Sequence, residues 1–177
     1  MHSKKENVFG GRDAYVYKKQ IANLVLEHKP TSILDYGCGK GLQYHKNEIH
    51  KLWGEHAQVP TLYDPCWEPY QEKPSGDFDG VLCTDVLEHV PLGGEVSLDD
   101  VIEDIFSYAV KFVFISVCSR PAIKKLPNGN NCHASVFPPD WWKRKIKSFS
   151  VKSPELDVQV YAEYTNKRNK KVRERII

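Results

Sequence analysis

The chain reads as an α/β protein: a doubly wound, mostly parallel sheet in which one antiparallel strand comes from a C-terminal hairpin. Three observations carry that expectation. Short apolar runs of strand type alternate with segments whose apolar residues recur every three to four positions, the pattern of a parallel sheet covered on both faces by crossover helices. A glycine-rich turn, "DYGCGKG" (Asp35 to Gly41), follows the first apolar run, where the carboxyl end of a strand would meet a ligand. Near the C-terminus, "FSVKS" and "DVQVYAEYT" alternate in polarity and are joined by "PELD", which reads as a hairpin.

The elements follow in order. After Asp13, an N-cap residue type, the stripe Ala14, Tyr17, Ile21, Leu24, Val25 and His28 predicts a helix that Pro30 follows. "SILDY" (Ser32 to Tyr36) is a buried strand, and Leu42, His45, Ile49, Leu52 and Trp53 mark one long helix after the glycine turn. "VPTLYD" (Val59 to Asp64) and "FDGVLCTDV" (Phe78 to Val86) are the next strands. "SLDD" (Ser97 to Asp100) is a capping box, opening a helix with the stripe Val101, Ile102, Ile105, Phe106, Ala109 and Val110. "KFVFISVCS" (Lys111 to Ser119) is a central strand, and a last helix begins near "PPDWW", where proline suits the first turn.

Composition narrows the class. A chain of 177 residues, 41% hydrophobic, suits one compact domain with its own core. "MHSKKENVFGG" has no apolar centre of the kind a secretion signal needs, and the longest apolar run, "FVFISVC", is too short to cross a bilayer. A cytoplasmic protein with no membrane partner is expected. The five cysteines form no C-x-x-C pair, so they read as reduced core thiols, with no disulfide and no metal site. Residues 166–177 carry six Lys/Arg and one Glu, whereas the rest of the chain is slightly acidic. That end is either solvated or a strip that neutralises phosphates. The expected organisation is an N-terminal lid and helix over 1–30, one domain over 31–165 and a basic tail over 166–177.

The glycine turn excludes two rivals. A P-loop needs a hydroxyl after its lysine, but Gly41 follows Lys40. A dinucleotide fingerprint needs a third glycine where Leu42 stands, which disfavours NAD. The pattern present is D-x-G-x-G-x-G, whose glycines let the backbone approach a ligand closely.

"LDYGCGKG" resembles the first motif of class I, Rossmann-like S-adenosylmethionine-dependent methyltransferases, and the resemblance continues through "YDP", "FDGVLCTDVLEHV" and the closing hairpin. It covers roughly residues 31–165 and implies a transferase with S-adenosyl-L-methionine as cofactor. By that resemblance Gly37, Gly39 and Gly41 line the methionyl and ribose side, Asp35 faces the amino group directly or through water, and Asp64 takes the ribose hydroxyls, since a carboxylate only accepts hydrogen bonds. A turn-forming Asp-Pro is the plainer account of Asp64. The backbone around Asp85 and Val86 would form the floor under the methionine, with His89 at the mouth. Only "PCWEPYQEKPSGD" separates Asp64 from Phe78, so the family's third strand is expected to be missing or vestigial. Trp67 or Tyr70 could then supply a flat face to adenine.

Methyl transfer asks mainly for alignment, with a base where the acceptor carries a proton. "NGNNCHASVFPPDWW" follows the central strand, where similar enzymes build the acceptor side. His133 is therefore the leading base or acceptor-orienting residue, or else a histidine that pins its loop. Trp142, in step with Ile146 and Phe149, faces the core and leaves Trp141 as an acceptor wall. At the N-terminus, Arg12 could pair with the methionyl carboxylate, and Tyr15 lies off the helix stripe. A small-molecule acceptor is favoured by the absence of an appended substrate domain. The alternative is a nucleic-acid-directed methyltransferase, or a nucleic-acid-binding module, docking through residues 166–177.

Overall fold

The computed structural model describes residues 12–177, with side chains from residue 14 onward. The chain forms a six-stranded sheet in the order β2-β1-β3-β4-β5-β6, where β1 is Ile33–Tyr36, β2 Thr61–Tyr63, β3 Phe78–Thr84, β4 Ala109–Cys118, β5 Asp157–Thr165 and β6 Lys171–Arg175. The first five are mutually parallel, and β6 runs antiparallel to β5. From β1 the chain goes outward to β2 and then returns across β1 to β3, so the strand order reverses there. In open α/β sheets the crevice beyond the carboxyl ends at such a reversal is where ligands bind.

Alternate strand residues feed two apolar clusters. Leu34, Val81, Val113, Ile115 and Val160 pack with α4 (Leu98–Tyr108) and α5 (Pro139–Ser150). Ile33, Leu82, Phe112 and Phe114 pack with α2 (Lys18–His28), which follows a short α1 (Arg12–Val16), and with Ile49 and Trp53. The predicted capping box is present: the Asp100 N–H donates to Ser97 Oγ at 3.3 Å and the Ser97 N–H to Asp100 Oδ2 at 2.9 Å. Trp142 is fully buried, as its helical phase requires. Among the described residues no helix is long and apolar enough to cross a membrane.

Four local expectations are corrected. The N-terminal helix is broken at Tyr17, whose φ of −97° and ψ of 15° are not helical, although its stripe is buried as expected. The long helix after the glycine turn is a single turn, α3 (Leu42–His45), then a kinked 3-10 stretch over Ile49–His56. Glu48 and Gly54 both take positive φ and break the helical path, and the buried residues become Tyr44, Ile49 and Trp53, with Leu52 exposed. The C-terminal hairpin is not "FSVKS" against "DVQVYAEYT", because Phe149 and Ser150 finish α5. Its strands are β5 and β6, so residues 166–177 are a turn and a strand rather than a tail. Between Asp64 and Phe78 there is a short 3-10 turn over Glu68–Tyr70 and no strand, matching the expected loss of the third strand. That segment is tied to α4 by Lys73 on Asp104 at 2.8 Å and by the Tyr108 hydroxyl on the Pro74 carbonyl at 2.9 Å.

Candidate functional site

The glycine turn leaves β1 at the reversal point and is held from β2 and β3. The Tyr63 carbonyl accepts the N–H groups of Gly37 and Cys38 at 2.7 and 3.0 Å, so the end of β2 fixes the start of the turn. Gly37, Gly39 and Gly41 all take positive φ, at 80°, 58° and 65°. At Gly37 the need for glycine is steric as well, because a Cβ there would stand 2.3 Å from Cγ2 of Val86. Val86 thus packs directly against the turn and joins the β1 and β3 ends into one surface.

Asp64 locks this arrangement. Its Oδ2 accepts the Gly39 N–H at 2.8 Å and its Oδ1 the Cys66 N–H at 2.9 Å, so the carboxylate spans the middle of the glycine turn and its own loop. The Asx-type bond to Cys66 is the turn role read from "YDP"; the bond to Gly39 was not legible there. Trp67 and Tyr70 border the same turn: the Lys40 ammonium lies 4.9 Å from the Trp67 ring centroid, and the Tyr70 hydroxyl pairs with His45 Nε2 at 2.9 Å.

Asp35 is 1% exposed and accepts from Gln43 Nε2 at 2.7 Å. Burial pushes its carboxyl up to about 6; the Gln43 amide and the Tyr44 hydroxyl pull it back by less, and the Asp64 carboxylate adds a small upward push. Gln43 also donates to the Cys38 carbonyl at 3.2 Å, so Asp35 supports the turn through Gln43.

Beyond β3 and β4 lies a second group of polar side chains. Asp85 takes φ of 60° as the chain leaves β3, and its N–H donates to the Ser116 carbonyl at 3.1 Å. Glu88 is completely buried; its Oε1 accepts the Cys118 N–H at 2.6 Å, and no N–H or hydroxyl among the described residues donates to its Oε2. Burial, then the neighbouring Asp85 carboxylate, push the Glu88 carboxyl well above the usual range. The two candidate histidines meet here, with ring centroids 4.8 Å apart and planes nearly perpendicular. His89 Nδ1 pairs with the Cys132 carbonyl at 2.9 Å and His133 Nδ1 with the Arg120 carbonyl at 2.6 Å. A carbonyl only accepts, so each Nδ1 carries a proton, and in the neutral form of either ring the lone pair lies on Nε2. Burial lowers the pKa of His89 below the ordinary histidine value, which keeps the ring neutral.

The remaining sequence-predicted residues lie elsewhere. The Arg12 side chain and the preceding glycines fall outside the described residues. Tyr15 is exposed, with the Lys18 ammonium 3.8 Å from its ring centroid. Trp141 stacks on Phe137 at 3.9 Å between centroids and lines a surface hollow with Arg144 and Lys145, not with the histidine pair. In the basic segment, Lys171 and Arg173 are both engaged by Glu163 Oε2 at 2.7 Å, while Arg120 holds Oε1 at 2.7 Å. Gln43, Cys118, Arg120 and Glu163 were not singled out by sequence reasoning. Each acts through a partner at least five residues away, for which a single sequence gives no signal.

Compared with models of protein families, with curated proteins and with solved structures, the chain matches none at a significant level.

Proposed function

We propose that the chain is an S-adenosylmethionine-dependent methyltransferase with a small-molecule acceptor, built on a doubly wound Rossmann-like sheet that lacks the third strand. The observation that carries this reading is the positive-φ glycine turn at the strand-order reversal, with its Gly39 N–H held by the acidic residue that ends the neighbouring strand.

The residues fit the cofactor's parts. The turn allows close approach to backbone without Cβ atoms in the way, Asp64 brings a carboxylate of the type that takes hydroxyls, Val86 offers an apolar floor, and Trp67 offers a flat face for a base. S-adenosylmethionine supplies a methyl group already activated on a sulfonium, so the protein's work is alignment and proton handling. His89, kept neutral by burial with its lone pair on Nε2, suits the removal of an acceptor proton. His133, pinned through Nδ1 by the Arg120 carbonyl, suits the orienting role.

A nucleic-acid acceptor is the weaker reading, because Lys171 and Arg173 of the basic segment are already engaged by Glu163. Thermal unfolding with excess S-adenosylmethionine, its demethylated product or NAD separates the cofactor classes. The first two should raise Tm and NAD should not; stabilisation by NAD alone would overturn the reading.

A further inference from the structure

The side chains gathered beyond β3 and β4 include four of metal-ligating type. One ligand-type atom from each of Asp85, Glu88, Cys118 and His133 lies within 4.8 Å of every other. Glu88 is fully buried, no N–H or hydroxyl among the described residues donates to its Oε2, and the side-chain partner it has is the Asp85 carboxyl. A second carboxylate beside it makes that burial costly unless a shared proton or a cation balances the pair.

We propose that Asp85, Glu88, Cys118 and His133 bind one divalent transition-metal ion. Four ligands held tetrahedrally at about 2.0–2.3 Å from one ion stand about 3.3–3.8 Å apart, so pairs at the 4.8 Å limit have to close by about 1 Å as the ion binds. The supporting shell is already built. The Arg120 carbonyl accepts from His133 Nδ1 at 2.6 Å, fixing the tautomer that leaves the other nitrogen to ligate, and it is also the Cys118 thiol's partner at 3.8 Å. Arg120 is in turn clamped by Glu163. A ligating histidine anchored through its other nitrogen to a carbonyl is the usual outer-shell arrangement. Mixed oxygen, nitrogen and sulfur donors select a borderline ion of the zinc type over magnesium or calcium, which take oxygen. Asp85 is only partly buried and gives the ion a way in. A second group, Glu27, His28 and Asp157, also comes together, but there His28 is already paired with Asp157 at 3.0 Å. The expectation of no metal site fails to foresee the four-residue group, whose members come from three separate segments. The proposal is tested without the methyl-transfer reading but shares Asp85 and His133 with it, and a metal on His133 Nε2 would take that nitrogen from the acceptor.

The test is calorimetric titration of Zn²⁺, and separately Mg²⁺, into the chelator-treated full-length protein. One equivalent of Zn²⁺ should bind, far more tightly than Mg²⁺, and should raise Tm. Asp85→Asn is the first variant, because asparagine tolerates the positive φ at that position; Cys118→Ser is the second. Each should weaken Zn²⁺ by at least about 10- to 100-fold, whereas His28→Ala should leave it unchanged. The proposal is overturned if the folded wild-type protein ignores Zn²⁺ at millimolar concentration. Retention of Zn²⁺ in both variants, its loss in His28→Ala, or equal affinity for Mg²⁺ would overturn it too.

Discussion

The two halves of the site are built on opposite principles. On the β1–β2 side the functional surface is backbone: three positive-φ glycines whose N–H groups are taken up by the Tyr63 carbonyl, the Asp64 carboxylate and the Cys38 carbonyl. On the β3–β4 side it is side chain: a buried carboxyl, a second carboxylate, a thiol and two imidazoles, oriented by the carbonyls of Arg120 and Cys132. The first half offers shape and hydrogen bonds, with its carboxylates Asp35 and Asp64 engaged in holding the turn, and suits holding a cofactor. The second offers lone pairs and suits the acceptor and its proton. Val86 is the seam between them, packed on Gly37.

If the halves divide the work this way, the largest separable effect lies on the β3–β4 side. His133→Ala should lower turnover by about 10²-fold, the cost of a misplaced acceptor, while leaving cofactor affinity nearly intact. A parallel fall in Tm, affinity and turnover would instead mark His133 as a pin for its loop. The seam comes next. Gly37→Val places a branched side chain at φ of 80° and against Val86, so denaturant unfolding should show a loss of about 3 kcal/mol or more. Full stability in that variant would mean the two strand ends are not joined as described.

The smallest effect sharpens the cofactor side, and its sign depends on pH. The folded-state pKa of Asp35 is raised to about 6, so the native state binds more protons than the unfolded chain between about pH 4 and 6. That contribution to stability is present below the unfolded value and lost as pH rises through about 6. Asp35→Asn should therefore stabilise the protein at pH 8 by up to about 3 kcal/mol, with the gain shrinking as pH falls and gone near pH 4. A pH-independent change would show that the carboxyl is not the source.

How much of this was legible follows the same division. The glycine turn lies within seven consecutive residues, and its identity is dictated by local backbone conformation, so a single sequence displays it. β5 was readable over its whole length, because its alternation is undisturbed. The pairing of Asp85 and Glu88 with Cys118 and His133 is set by the parallel register of β3 and β4 and by the loop that follows. That register leaves no trace in local spacing. β6 was missed for another reason: "KVRER" is polar on both faces, since its Lys171 and Arg173 serve Glu163 rather than an apolar core. The helix after the turn was overextended because the apolar spacing continues through Trp53 while the backbone does not, broken at Glu48 and Gly54.

The central claim, that the glycine turn and Asp64 together hold S-adenosylmethionine, is tested most directly by calorimetric titration of its demethylated product into the wild-type protein and into Asp64→Ala and Gly39→Val. One molecule should bind the wild-type protein, Asp64→Ala should lose roughly 1.5–3 kcal/mol of binding, the usual worth of hydrogen bonds to a charged group, and Gly39→Val should not bind. No binding to the folded wild-type protein, or equal affinity in all three, would contradict the claim.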